Sequence, residues 1–244
     1  EIGGQRIPVS AAFSLDESAD MVGFAVGSYD PRYPLTIDPD YQWHTFYGGT
    51  GSEMGCAIAV DAAGNLFVVG RSLATWLGGD DATPLHAYSG SWDITVLKLN
   101  SAGSYQWHTF YGSAATDYGY GISVDAAGNV YVTGVSYATW NGDDDAAPLH
   151  AVPLTGEYGS IVVLKLSSAG EYQWHTFYGG TNDSAGNGIA TTAGGDVFVT
   201  GSSAGSWLGD GNAVPLHPFG GVLMDLVQNA GLLHLQHRVD LPAP

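Results

Sequence analysis

Apolar and polar positions in the middle of the chain predict a series of short antiparallel strands. Residues 118–124 are apolar and glycine-rich, and they end at the five-residue link 125–129. That link opens with Asp and contains Gly and Asn, which tolerate positive φ, so it is typical of a hairpin turn. The second strand follows at 130–133, a nearly continuous apolar third at 161–166, and a fourth at 172–178. We expect the third strand to be covered on both faces.

This pattern occurs three times along the chain. The sequence Tyr-Gln-Trp-His-Thr-Phe-Tyr-Gly begins at Tyr41, Tyr105 and Tyr172, so its copies are 64 and then 67 residues apart. Two further landmarks keep that spacing: the tryptophans Trp76, Trp140 and Trp207, and the Pro-Leu-His triplets that end at His86, His150 and His217. Landmarks that recur in phase identify a tandem repeat.

Four strands per unit, with faces buried by neighbouring units, predict an all-β fold. The architecture expected is a β-propeller or propeller-like array of four-stranded antiparallel blades, with three clear repeats and an additional N-terminal blade. The predicted boundaries are an N-terminal β segment at 1–40, repeats over 41–238, and a C-terminal tail at 239–244. Within the repeats, the units lie at about 48–111, 112–178 and 179–238. In the last unit, residues 224–227 take the place of the third strand and residues 232–238 are expected to form the fourth.

Three blades are fewer than the ~4–8 of a typical closed propeller. In one arrangement residues 5–47 form a fourth blade and close the ring, with strands at 7–13, 21–26, 34–37 and 41–47. In the other, neighbouring copies complete the open blades in a homo-oligomer or filament. The sequence favours the first arrangement and leaves the second open.

The second unit contains the motifs Gly121-Ile-Ser-Val-Asp125, Gly128-Asn-Val-Tyr-Val-Thr-Gly134 and Val163-Leu-Lys-Leu166. These motifs resemble the bacterial β-propeller repeat called SBBP. The stretch 22–39 resembles the end of the domain that often precedes such repeats. The resemblance implies a propeller fold and an extracellular or cell-surface location in bacteria, and it implies no reaction.

The composition narrows the range of partners. The 244 residues carry a net charge of −18 with six Lys and Arg, which repels phosphate backbones and excludes nucleic-acid binding. No apolar run approaches the ~20 residues of a membrane span, so we expect no membrane insertion. The single cysteine, Cys56, excludes an intrachain disulfide and is expected to be a small buried residue.

The loop after the second strand of each unit is the candidate metal site. Each loop keeps a glycine two places after its tryptophan, and acidic or amide residues follow. Clustered side-chain oxygens around glycine suit Ca²⁺, whereas solvated tight turns are the alternative. The predicted calcium ligands are Asp80, Asp81, Asp143, Asp144, Asp145, Asp210 and Asn212.

Aromatic side chains supply the candidate ligand-binding residues. Those that could stack on a sugar ring are Trp76, Trp92, Trp140 and Trp207, with packing within the blade as the alternative for the three that recur. Trp92 occurs in one unit and is the first choice for a ligand surface. Histidines that recur in phase, such as His108 and His175, are expected to be hydrogen-bonded scaffold residues.

These observations predict a non-enzymatic, extracellular structural or adhesive repeat protein that assembles with itself through open blade edges. No Gly-x-Ser-x-Gly elbow, Walker loop or Cys–His pair points to a reaction. The alternative is a propeller module that binds a surface glycan or protein. A polysaccharide-active enzyme is the third alternative, because propellers host such enzymes.

Overall fold

A computed structural model describes residues 9–16, 21–33, 43–153, 158–192, 195–209, 212–216 and 231–235. The chain forms two compact units, Glu1–Gln42 and Trp43–Pro244. In the first unit, strands β1 (Ala11–Asp16) and β2 (Met21–Val26) pair antiparallel. No helix in the described part of the chain is long and apolar enough to cross a membrane.

The first blade of the second unit is a four-stranded antiparallel sheet in chain order. Its hairpin turn is fixed by Asp61, whose Oδ1 accepts hydrogen bonds from the backbone N–H groups of Ala63 and Asn65, both at 2.9 Å. Gly64 supplies the positive φ that the turn requires, at 80°. The strands are β3 (Glu53–Val60), β4 (Leu66–Ser72), β5 (Asp93–Leu99) and β6 (Tyr105–Tyr111).

The second blade repeats this sheet. Its first strand contains a β-bulge between Gly119 and Gly121, which presses the Tyr118 carbonyl onto Gly134 of the second strand. A Cβ at Gly134 would lie 1.8 Å from that oxygen, so only glycine fits at this position. The strands are β7 (Asp117–Val124), β8 (Val130–Ser136), β9 (Ser160–Leu166) and β10 (Tyr172–Tyr178).

The third blade departs from the sequence prediction. In its described part, β11 (Ser184–Thr191), β12 (Val197–Ser203) and β13 (Gly231–Leu235) pair in that order. We expected residues 232–238 to form the fourth strand, and this was wrong for 232–235. Leu235 pairs with Val197 as Leu99 pairs with Leu66, so β13 takes the place of the third strand. Residues 224–227, the predicted third strand, lie outside the described residues.

Blade 2 is packed between blades 1 and 3. Strand β7 contacts β3, β4 and β5 of blade 1, and β11 contacts β7, β8 and β9 of blade 2. One apolar cluster joins Val69 and Ile94 of blade 1 to Val132 and Leu164 of blade 2. A second cluster joins Val163 of blade 2 to blade 3. Strand β9 is buried on both faces, as predicted, and the all-β, propeller-like array is confirmed.

The predicted N-terminal blade is described only in part. Residues 1–8 and 34–42 lie outside the described residues, as does the tail at 239–244. Residues 43–47, expected within a strand, form no strand in the structure. The physical reason is that this segment has no neighbouring β-strand with which to form ladder hydrogen bonds among the described residues.

Candidate functional site

The tryptophan that follows the second strand of blades 1 and 2 packs inside its blade. Trp76 is 6% exposed and stacks on His108, with ring centroids 3.8 Å apart. His108 Nε2 donates to the Trp76 carbonyl at 3.1 Å, so Nδ1 accepts from the Tyr105 hydroxyl at 2.8 Å. Because His108 covers one face of the indole ring, a sugar could not stack there. Blade 2 repeats the trio with Trp140, His175 and Tyr172.

The two histidines of these trios are uncharged scaffold residues. Both are fully buried, and burial lowers their pKa, to about 4 for His175. Each ring therefore keeps one donor and one acceptor nitrogen at neutral pH, and both nitrogens have partners. The scaffold role predicted for His108 and His175 is confirmed.

The acidic loops are tight turns closed by their own backbone. In blade 2, Gly142 N donates to the Ala146 carbonyl at 2.7 Å, and Ala146 N donates to the Asp143 carbonyl at 3.1 Å. Asp144 and Asp145 adopt left-handed φ angles of 55° and 58°. In blades 1 and 2 the recurring glycine is explained by packing, because a Cβ at Gly142 would lie 2.2 Å from the Tyr172 ring and one at Gly78 2.2 Å from the Tyr105 ring.

The predicted calcium ligands are distributed over three turns, one in each blade. Asp80, Asp81, Asp144 and Asp145 are exposed, whereas Asp143 is half-buried. Asn212 is exposed with φ of 62°, and Asp210 lies outside the described residues. Across the described ranges, no three His, Cys, Asp or Glu side chains are grouped as a metal ion would require. Calcium binding by these turns stays a prediction.

Among the turn carboxylates that the structure describes, Asp143 is the one with a hydrogen bond to another blade. Its Oδ1 accepts a hydrogen bond from the Tyr111 hydroxyl at 3.1 Å and lies 3.9 Å from His86 Nε2. His86 stacks on Tyr111 with centroids 4.5 Å apart. Burial and the charge of Asp143 raise the pKa of Tyr111, so its hydroxyl remains a donor. Asp143 therefore joins blade 2 to blade 1.

Trp92 lies on a separate aromatic surface of blades 1 and 2. Its ring meets Tyr118 edge-on with centroids 5.9 Å apart, and the Arg71 guanidinium lies 4.3 Å from the Tyr118 centroid. A depression of about 360 Å³ lies beside Tyr118 and Tyr137. We call the half-buried set Arg71, Trp92, Tyr118, Tyr120 and Tyr137 the Trp92 surface.

The structure does not bring the four candidate tryptophans together. Trp76 and Trp140 are buried in different blades, and Trp92 lies on its own surface. Trp207 is half-buried between blades 2 and 3, with its ring 5.9 Å from that of Tyr178. A sugar platform built from several of these tryptophans is therefore absent from the described structure, and the half-buried Trp92 and Trp207 are the candidates that stay partly accessible.

Blade 1 exposes apolar positions whose repeat equivalents are buried in blade 2. Ile58 is 58% exposed, whereas its equivalent Ile122 is 8% exposed. Leu66 is half-buried, whereas its equivalent Val130 is fully buried. We call the set Ile58, Val60, Leu66 and Val68 the blade 1 open face; Ile58 pairs with Val68 and Val60 with Leu66 across the two strands. Cys56, at the β-bulge of the same strand, is exposed, so its predicted burial was wrong.

The opposite side of the array is open as well. Thr200 of blade 3 is exposed, whereas its repeat equivalents Thr133 and Val69 are fully buried in blades 2 and 1. The middle blade is thus covered on both faces, and each terminal blade exposes the face that points away from the middle.

Residues 43–47 contact blade 1 as β6 contacts blade 2. The Tyr47 ring lies 6.2 Å from Trp76 and 5.9 Å from Tyr105. The equivalent ring, Tyr111, lies 5.9 Å from Trp140 and 6.0 Å from Tyr172. The segment therefore occupies the place that the fourth strand of a preceding blade would take.

Sequence reasoning missed a pair of buried carboxylates between blades 1 and 2. Asp93 and Asp117 are both fully buried. Burial raises the pKa of Asp93 to about 7, with a further contribution from the charge of Asp117, and burial raises that of Asp117 to about 6. Alignment of the repeats could have identified this pair, because Asp93 aligns with Ser160 and Asp117 aligns with Ser184 in the next repeat.

Comparisons with known proteins agree with this architecture. Residues 106–139 match the SBBP family model, described as a β-propeller repeat, and residues 1–40 match a domain of unknown function, DUF7948. WD repeat-containing protein L264 of Acanthamoeba polyphaga mimivirus is 23% identical over 196 residues, which cover 71% of this chain. The chain spans 14% of the length of that relative. The resemblance recognised in the repeat motifs is therefore confirmed: residues 106–139 match the SBBP β-propeller repeat, and residues 1–40 match the domain DUF7948.

Proposed function

We propose that this chain is a non-enzymatic structural module that assembles with further copies of itself by stacking of terminal blades, outside the cell. The observation that carries the proposal is the exposure of Ile58 and Val60, at 58% and 60%, on a face that is covered in the middle blade. Exposed apolar surface of this kind marks interaction sites in soluble proteins.

The junction between blades 1 and 2 supplies the template for the contact. There the inner face of blade 1, with Phe67 and Val69, covers Val130 and Val132 of blade 2. The blade 1 open face is the repeat equivalent of that covered surface. The outward face of blade 3, with Thr200, is the repeat equivalent of the covering surface. A second copy can therefore place its blade 3 on blade 1 in a head-to-tail contact.

The segment 43–47 adds a second element to this contact. It already lies against blade 1 as a fourth strand would, with Trp43 packed at Gly103 as Trp107 is packed at Gly170. What remains uncovered is the surface over which the inner strands of a preceding blade would lie. The three strands described in blade 3 match that requirement, and 43–47 would complete them by strand addition.

Light scattering coupled to size exclusion tests the assembly. We expect the average mass to rise above the 25.4 kDa of one chain as concentration increases. Ile58→Glu should weaken association at least about tenfold, because it places a charge in an apolar contact. Ala126→Glu is the matched control, since Ala126 is exposed in the hairpin turn of the middle blade, which takes no part in the proposed contact. A wild-type chain that stays monomeric, or an equal effect of both variants, would contradict the proposal.

The extracellular part of the proposal rests on the resemblance to SBBP repeats. We expect the native protein to be accessible to antibody or protease on intact cells. Recovery only from the lysed-cell fraction would oppose this location while leaving the assembly mechanism intact.

Carbohydrate binding is the second candidate function, because the Trp92 surface combines a half-buried indole with three tyrosines and an arginine beside a depression. Aromatic rings with a polar edge suit the apolar face and hydroxyls of a sugar. We expect a polysaccharide recognised on a glycan array to lose at least tenfold in affinity for Trp92→Ala. Phe46→Ala is the control, since Phe46 is 89% exposed elsewhere. Unchanged binding by Trp92→Ala would exclude this surface as the glycan site.

A further inference from the structure

The junction of blades 1 and 2 holds two buried carboxylates that face one space. A methyl group added to Gly112 would lie 2.8 Å from Asp93 Oδ1 and 2.9 Å from Asp117 Oδ2. Both side chains are fully buried. The two acidic oxygens thus approach the same point beside Gly112, where a side chain would clash with both.

The hydrogen bonds around the pair leave one oxygen without a partner. Asp117 Oδ2 accepts from Ser113 N and Oγ, and its Oδ1 accepts from Ser136 Oγ. Asp93 Oδ2 accepts from Ser89 N and Oγ, both at 2.7 Å. Asp93 Oδ1 has no hydrogen-bond partner among the described residues. A buried carboxylate oxygen without a partner carries a large free-energy cost.

The protein's own cations are used elsewhere in the described structure. Arg32 pairs with Asp30, and Arg71 lies over Tyr118. Lys98 and Lys165 lie over aromatic rings of their own blades, and Arg6 and Arg238 are outside the described residues. In the described part of the chain, neither Asp93 nor Asp117 has an ion pair with Lys or Arg. The charge of the pair is therefore available to a cation from solution.

We infer that Asp93 and Asp117 form a cation site that takes Ca²⁺ and fastens blade 1 to blade 2. Two carboxylates balance one divalent charge, and hard cations prefer oxygen ligands. Hydroxyl and carbonyl oxygens border the pair, since Ser89 Oγ lies 2.7 Å from Asp93 Oδ2 and 3.1 Å from the Ser113 carbonyl oxygen. Ca²⁺ accepts such mixed, irregular ligand sets, whereas Mg²⁺ demands near-octahedral geometry and retains several waters.

The next junction offers a natural comparison. Blades 2 and 3 have Ser160 and Ser184 at the equivalent positions, and both are 2% exposed. The hydroxyl of Ser184 pairs with that of Ser203 at 2.9 Å, so that junction needs no added charge. The double variant Asp93→Ser/Asp117→Ser copies this uncharged junction and should fold.

Thermal unfolding of the EDTA-treated chain tests the site. Addition of millimolar CaCl₂ at pH 7.5 should raise the Tm of the wild-type chain by about 5 °C or more. The double serine variant should lose this shift. A variant with Asp80, Asp81, Asp144 and Asp145 changed to Asn should keep it, because those residues belong to the surface turns. No shift in the wild type, a shift kept by the serine variant, or a shift lost in the turn variant would each overturn the inference.

Terbium luminescence gives a second readout that does not depend on stability. Tb³⁺ replaces Ca²⁺ at oxygen sites, and its lifetimes in H₂O and D₂O report how many waters remain bound. A buried site should retain few waters, and the signal should vanish in the serine variant. A fully hydrated ion, or equal luminescence from both proteins, would overturn the inference.

Discussion

At the scale of single residues, a buried histidine makes the same two hydrogen bonds in each of the first two blades. Each of the first two blades places a neutral histidine between a tyrosine hydroxyl and a tryptophan carbonyl, with the indole stacked on the imidazole. The histidine can serve both neighbours only while one ring nitrogen is unprotonated. Its burial, which lowers its pKa, preserves that state, so the trio is a structural unit instead of a metal ligand set.

The buried carboxylates should make the metal-free protein less stable as pH rises above neutrality. The folded pKa values of Asp93 and Asp117, about 7 and 6, exceed the unfolded value of ~3.9. Their stabilising contribution is therefore complete below the unfolded pKa and is lost as pH rises through 6 to 7. His175 acts in the opposite sense, because its folded pKa of about 4 makes stability fall as pH decreases below ~6.5.

Between pH 6.5 and 8, ionisation of the two carboxylates lowers the stability of the folded protein, and His175 does not offset this loss. We expect the Tm in EDTA to fall by about 2–4 °C over this range, which corresponds to roughly 1 kcal/mol. The double variant Asp93→Ser/Asp117→Ser should show a flatter profile. A wild-type Tm that is constant or rises over the same range would contradict the burial-driven pKa shifts.

At the scale of elements, the strands and hairpin turns follow directly from the sequence pattern. The Asp-Ala-Ala-Gly-Asn links form the expected turns because Asp caps two backbone N–H groups and Gly accepts positive φ. Strand β13 was harder to place, since alternating leucines indicate a strand without specifying its neighbour. Its position beside β12 depends on pairing with residues at least thirty positions away.

The glycine of each acidic turn gives a test at this scale. Gly142 has an ordinary φ of −75°, so alanine would be strained only by its Cβ, 2.2 Å from the Tyr172 ring. We expect Gly142→Ala to destabilise the protein by about 1–3 kcal/mol through displacement of that ring. Gly209→Ala is the matched control, because its nearest contact would be 3.6 Å away, and it should cost much less. Equal Tm values for the two variants would contradict a packing role for this glycine.

At the scale of the whole molecule, the array is defined by its middle blade. Blade 2 is covered on both sides, and the terminal blades are each covered on one side. Two chains joined head to tail through both open faces would contain six blades, within the ~4–8 of closed propellers. The light-scattering experiment should then give twice the mass of one chain, whereas a contact that does not close would give longer assemblies.

The sequence alone determined the repeat, the strand pattern, the turns and the propeller class, because these depend on local periodicity and on identical motifs that recur at the repeat spacing. It also explained why the histidines recur. The tertiary structure decided which equivalent positions are buried, since Ile58 and Ile122 are the same residue type and differ only in whether a neighbouring blade covers them. It likewise brought Asp93 and Asp117 to one space beside Gly112, because that contact depends on how two blades stack and not on the order of residues within either of them.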